Sequence, residues 1–157
     1  MKRSISIGIL SFLIFAVIPL AHAYVISRPV PKFEDEIILH DAAPDATRKV
    51  HDAILVAATK YKWAVVSDNG NVLRLRLAVR RHMVEIDVRI LGSAVSVGYV
   101  DSINMGYAEN GVDTAAGADH CNYLPSMCGE KVLGAVIHPN YGKWVRNLLI
   151  AARTAAN

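Results

Sequence analysis

The sequence predicts an α+β domain of two layers, a four-stranded antiparallel meander covered on one face by an amino-terminal and a carboxy-terminal helix (α-β-β-β-β-α). Two observations carry this. Between Asn71 and Asp101 three stretches alternate apolar and polar residues with a period of two, the mark of strands with one buried and one wet face. On either side, apolar residues recur at helical spacing instead.

The chain begins with Met1-Lys2-Arg3, an almost unbroken apolar run from Ile7 to Ile18, Pro19, and the small-x-small pattern Ala21-His22-Ala23. A short positive segment, an apolar stretch and small residues before a cut are the parts of a secretory signal peptide. The run is shorter than the roughly 20 residues that cross a bilayer. Cleavage after Ala23 is expected, with the product periplasmic or secreted and without stable membrane insertion. Once Lys2 and Arg3 are removed from the 17 basic residues, 15 face 14 acidic ones, a net charge of +1. Nothing in that balance calls for a nucleic-acid partner.

Residues 24–44 carry Pro29, Pro31 and Pro44 and the acidic run Glu34-Asp35-Glu36, and read as an extended, partly mobile lead-in. A short edge strand is expected over Glu36–His40, with Ile37 and Leu39 on one side. The domain proper spans 45–157. Asp45 fits an N-cap, and Val50, Ile54, Ala57, Ala58 and Tyr61 share one face of a helix over 46–61, with His51 at its edge. Trp63–Val66 reads as the first strand. Asn69-Gly70 is a hairpin signal, because both residues tolerate positive φ.

Leu73, Leu75, Leu77 and Val79 then alternate with Arg74, Arg76 and Arg80; Val84, Ile86, Val88 and Ile90 alternate with Glu85, Asp87 and Arg89. Arg80-Arg81-His82 and Gly92-Ser93 make the next reversals, and Val95, Val97 and Tyr99 complete the meander. Arg74, Arg76 and Arg89 should face Glu85 and Asp87 across neighbouring strands. The alternative use of these three arginines is a binding platform for anions.

Residues 108–136 form a long glycine- and alanine-rich excursion holding His120, Cys121 and Cys128. Long loops are usually functional or disordered. An even cysteine count in an exported chain favours a Cys121–Cys128 disulfide, worth roughly 2 to 2.5 kcal/mol for so short a loop. Pro139 then suits a first helical turn. Tyr141, Trp144, Val145, Leu148, Leu149 and Ala152 give the stripe of a second helix over 139–154, with Trp144 its largest side chain.

Two stretches carry a resemblance: Tyr99-Val-Asp-Ser-Ile-Asn-Met-Gly-Tyr107, and Ile137-His-Pro-Asn-Tyr-Gly-Lys-Trp-Val-Arg-Asn-Leu148. They resemble a family of small, uncharacterised bacterial envelope proteins, often lipoproteins, with a Tyr-x-Asp-Ser-x-Asn-Leu-x-Tyr strand and an Ile-His-x-x-Tyr-Asn-x-Trp-Val-x-Asn-Leu helix. The likeness spans about residues 45–107 and 137–152. This chain departs in lacking a lipoprotein cysteine, in carrying Gly142 where Asn is usual, and in its cysteine-bearing insert. The resemblance implies an envelope location and the fold above, and no activity. The motif residues read as structural. Asp101, Ser102 and Asn104 suit a strand end, where such side chains hold nearby backbone. Tyr107, Tyr141 and Trp144 suit an aromatic cluster, and His138 suits a cap or a bond to Asp101.

Catalytic patterns are weak. Ser102, Asp101 and His138 supply the letters of a triad, without the glycine pattern of a nucleophile elbow. Asp119-His120-Cys121 with Cys128 offers metal ligands, but six residues separate the cysteines where two to four are usual. Glu85 and Asp87 share a face, yet arginines surround them, and no glycine-rich phosphate loop is present. The expected function is therefore a non-catalytic envelope binding or interaction module, with no cofactor and with an envelope protein or small ligand as partner. Its contact surface is expected to be the polar sheet face or the 108–136 loop. The second reading is a metal-handling protein or enzyme centred on that loop.

Overall fold

A computed structural model describes residues 27–40, 44–113, 130–131 and 134–157. The elements in chain order are β1 (Arg28–Pro29), β2 (Phe33–Ile37), α1 (Ala46–Lys60), β3 (Ala64–Asp68), β4 (Val72–Val79), β5 (His82–Leu91), β6 (Ala94–Ile103), β7 (Val112–Asp113), β8 (Glu130–Lys131), β9 (Val136–Ile137) and α2 (Asn140–Ala156). The main sheet has five strands, not four, in the order β2-β6-β5-β4-β3, all antiparallel. The meander and the two helices are as expected; the fifth strand comes from the lead-in.

Why the lead-in joins the sheet follows from what it buries. Phe33, Ile38 and Leu39 are all in the core, while Ile37 is 45% exposed. The acidic run supplies the edge. Glu36 pairs with Arg153 of α2, and Arg153 Nε also donates to the Ile37 carbonyl oxygen at 2.7 Å. The strand therefore runs through 33–37 rather than 36–40. Its pairing with β6 shifts register between Phe33 and Glu36, at Asp35, which takes φ 52°. Such a bulge blunts an exposed edge.

The first helix starts at Ala46 as expected, but the Asp45 side chain does not cap it. Its carboxylate pairs instead with Arg48 (2.9 Å) and Lys49 (3.3 Å) in the first turn. The other end closes in a Schellman motif. Lys62 sits at φ 62°, its N–H reaches Thr59 O, and Trp63 N–H reaches Ala58 O at 2.8 Å. This stop explains two corrections. Tyr61, expected on the apolar stripe, lies beyond the last helical residue and is 37% exposed. Trp63, expected in the first strand, is a buried plug at the helix end, and β3 starts one residue later.

One core holds both layers together. Val50, Ile54 and Ala57 of α1, and Val145, Leu148 and Leu149 of α2, meet Leu73, Leu75, Val84, Ile86 and Val88 from the inner sheet face. The first hairpin turns on Gly70 at φ 85°. Asn69 contributes its side chain rather than a positive φ, its Oδ1 accepting from the N–H groups of Asn71 (3.2 Å) and Val72 (2.7 Å). Among the described residues, no helix is long and apolar enough to cross a membrane.

Candidate functional site

Four regions hold the chemistry-bearing side chains. The first is the polar face of the sheet. Arg74 lies opposite Asp87 and Arg76 opposite Glu85 in the β4–β5 ladder. Arg74 grips Asp87 with both Nε (2.8 Å) and Nη2 (2.9 Å), and Arg76 Nε donates to Glu85 Oε1 at 2.6 Å. The Arg74 hydrogen bond holds the Asp87 carboxyl below its usual range, outweighing the effect of burial, with the charges of Arg74 and Arg89 adding to it. Two of the three arginines of the anion platform are thus neutralised by their neighbours. Arg89 stands opposite Val72 and Ser96 and adds its field to Asp87.

The second region is the corner where β5 begins, β6 ends and α2 starts, and the shared motif residues converge there. Asn104, at φ 56°, donates Nδ2 to the Arg81 carbonyl oxygen at 2.7 Å and accepts from His82 Nδ1 on its own carbonyl at 2.6 Å. His138 N–H bonds Met105 O, and His138 Nδ1 accepts from Asn140 N–H at 3.1 Å, so its ring caps the start of α2. Burial, then the neighbouring His82 ring at 5.6 Å, lowers the His138 pKa. The expected bond from His138 to Asp101 is not made. Asp101 Oδ1 instead accepts from Ser102 N–H at 2.7 Å, and Ser102 Oγ pairs with the Tyr99 hydroxyl at 3.0 Å. Ser102, Asp101 and His138 therefore do not assemble as a triad.

The aromatic cluster exists with a different membership. Tyr99 stacks on Tyr107 (4.2 Å between centroids) and meets Tyr141 edge-on at 6.1 Å, and Tyr141 meets Phe33 in the same way at 6.5 Å. Tyr141 is the buried anchor at 1% exposure; Trp144 is half-buried against the rim of the core. Helix rotation decides this, since Tyr141 shares the central line of the stripe with Leu148 and Trp144 sits to its side.

The third region is the excursion. Its base is regular: Ala108 bridges Val136, Gly111 N–H reaches Gly134 O at 3.3 Å, and β7 pairs with β8. A Cβ on Gly111 would lie 1.9 Å from Val136 Cγ2, so only glycine lets the two limbs close. The base of this 108–136 arm is antiparallel. His120, Cys121 and Cys128, and with them the expected disulfide, lie outside the described residues, as does the expected signal peptide.

The fourth region was not visible in the sequence. β1 pairs antiparallel with β9, setting Arg28 opposite Ile137 just before α2. Arg28, Pro29 and Pro31 from the lead-in, with His138, Gly142 and Arg146, line a cleft of about 500 Å³. The sequence signal there was the proline-rich lead-in with its Arg28; which helix it would cross could not be read from it. Among the described residues no group of three or more His, Cys, Asp and Glu side chains is placed to hold a metal.

No family model, no curated protein and no solved structure matches this chain.

Proposed function

We propose that the chain is an exported, non-catalytic binding or interaction module of the bacterial envelope, with the 108–136 arm as its main contact surface. The observation that carries this is the clamped base of the arm. A β7–β8 ladder and the Ala108–Val136 bridge hold the two limbs of the excursion together at its base. The other surface considered, the sheet face, has most of its charge spent internally on the Arg74–Asp87 and Arg76–Glu85 pairs. The motif side chains Asn104, His138, Ser102 and Asp101 likewise serve backbone and neighbours. The signal-like amino terminus and the resemblance to envelope proteins support the location.

The test is affinity capture from the producing cell's envelope with the processed chain, beside a chain whose residues 114–129 are replaced by a short Gly-Ser link. A partner retained by the first and lost by the second supports the reading. Equal retention by both places the contact surface elsewhere.

The second reading, a metal-handling protein or enzyme centred on the arm, rests on Asp119-His120-Cys121 and Cys128. Metal analysis of the purified chain with a free-thiol titration separates the two. Bound metal with two reactive thiols favours this second reading, and metal-free protein without free thiols favours the first.

A further inference from the structure

We propose that the cleft between the lead-in and the start of α2, lined by Arg28, His138 and Arg146 against proline walls, binds a phosphate group carried on a small apolar body. This goes beyond the arm and does not depend on what the arm contacts.

Charge is the first argument. Arg48, Arg74, Arg76 and Arg153 each meet a carboxylate. Arg28 and Arg146 both line the cleft and both are exposed; among the described residues neither has a carboxylate partner, and no Asp or Glu lines the cleft. Two unneutralised guanidinium forks, each shaped for bidentate contact with oxygen anions, suit a group with close to two negative charges. A phosphate monoester carries about −1.5 to −2 at neutral pH, whereas one guanidinium satisfies a carboxylate. His138 adds a donor: its Nδ1 accepts from Asn140 N–H, so Nε2 carries the proton.

Shape is the second argument. The cleft, about 500 Å³, lies within the roughly 300–1,000 Å³ typical of small-ligand sites, larger than a bare ion needs. Pro29, Pro31 and Pro139 give it rigid apolar walls with no N–H to satisfy. The close approach of its parts depends on one residue. A Cβ on Gly142 would sit 2.9 Å from Pro31 Cγ and 3.2 Å from Arg146 Nη2. Glycine there lets the lead-in lie on the helix and the Arg146 guanidinium fold over it, and the β1–β9 pairing fixes Arg28 beside them.

The experiment is calorimetric titration of the full-length processed chain with phenyl phosphate, inorganic phosphate and benzoate. Flotation with phosphatidylcholine vesicles, with and without phosphatidic acid, runs in parallel. Phenyl phosphate should bind more tightly than inorganic phosphate or benzoate. Arg28→Ala and Arg146→Ala should each weaken it by about tenfold or more, as loss of a charge-assisted contact requires. Arg146→Lys should weaken it too, since charge without the fork is not enough. Lys143→Ala, exposed on the same helix but outside the cleft, should change nothing. Arginine-dependent binding of phenyl phosphate assigns a soluble phosphate ester, and arginine-dependent flotation with phosphatidic acid alone assigns a lipid headgroup; both support the site. The proposal is overturned if neither probe binds, if both arginine variants bind like wild type, or if Lys143→Ala weakens binding as much as they do. Benzoate binding as tightly as phenyl phosphate overturns the phosphate assignment. Both arginines are exposed, so circular dichroism of the variants should match wild type.

Discussion

Asn104 holds Arg81 across the end of the sheet, its Nδ2 donating to the Arg81 carbonyl oxygen at 2.7 Å while its own backbone stands at φ 56°. The residue thus does two jobs, one by side chain and one by conformation, and they separate by substitution. Asn104→Gly keeps the backbone and loses the bond, costing about 1 kcal/mol; Asn104→Ala loses the bond and strains the backbone, costing about 2 kcal/mol or more. Denaturant midpoints of the two variants give the comparison. Equal destabilisation would show that the positive φ plays no part.

Tyr141, not Trp144, is the anchor of α2. Tyr141→Ala removes a buried ring that touches Phe33 and Tyr99, and should cost about 3–5 kcal/mol. Trp144 is half-buried, so Trp144→Ala should cost about 1–3 kcal/mol, in proportion to the smaller area it removes from water. Chemical unfolding of both, beside Lys143→Ala at under about half a kcal/mol, ranks them. A larger loss at Trp144 would reverse the assignment.

The Tyr141 phenol also predicts behaviour at high pH. Burial, with a smaller contribution from Tyr99, pushes its pKa up from 10.0 to about 12. A phenol whose folded value is raised stabilises the fold below the unfolded value, and that stability drains as pH climbs from about 10 through the folded value. Tyr141→Phe should therefore flatten the fall in stability over this alkaline range. Absorbance near the phenolate band should show one fewer late-titrating tyrosine.

His51 joins α1 to the end of β3. Its Nε2 lies 3.0 Å from Asp68 Oδ2 and its Nδ1 lies 3.3 Å from Asp52 Oδ1, while Arg48 shares Asp52 at 3.8 Å. Burial alone would lower the His51 pKa, but the hydrogen bonds of Asp52 and Asp68, with their charge, raise it above 6.5. A raised histidine pKa gives stability that is complete below the unfolded value of 6.5 and is lost as pH rises through the folded value. Asp68→Asn should bring the His51 titration, followed by proton NMR, back toward lower pH and shrink the loss of stability above neutrality. An unmoved titration would remove Asp68 as the cause.

Export is tested by mass. Cleavage after Ala23 predicts a periplasmic product beginning at Tyr24, and alkylation under denaturing, non-reducing conditions should label neither Cys121 nor Cys128. A membrane-bound chain that keeps Met1 contradicts the first expectation, and two labelled thiols contradict the second.

What the sequence determined by itself is local in origin. Alternation at a period of two set the inner face of β4, β5 and β6, because neighbours two residues apart point the same way. The same alternation set the Arg74–Asp87 and Arg76–Glu85 pairs, since a tight hairpin fixes register. Helical spacing gave both helices within two residues of their ends. Tertiary structure decided what depends on distant partners. β2 is a strand because Asp35 and Glu36 find Ser96 and Arg153, 61 and 117 residues away. Tyr99 joins the aromatic cluster because α2 brings Tyr141 to it across the core. The cleft exists because β1 pairs with β9 and Gly142 lets Pro31 approach α2. A period in the sequence records which way a side chain faces, but not which remote surface arrives to cover it.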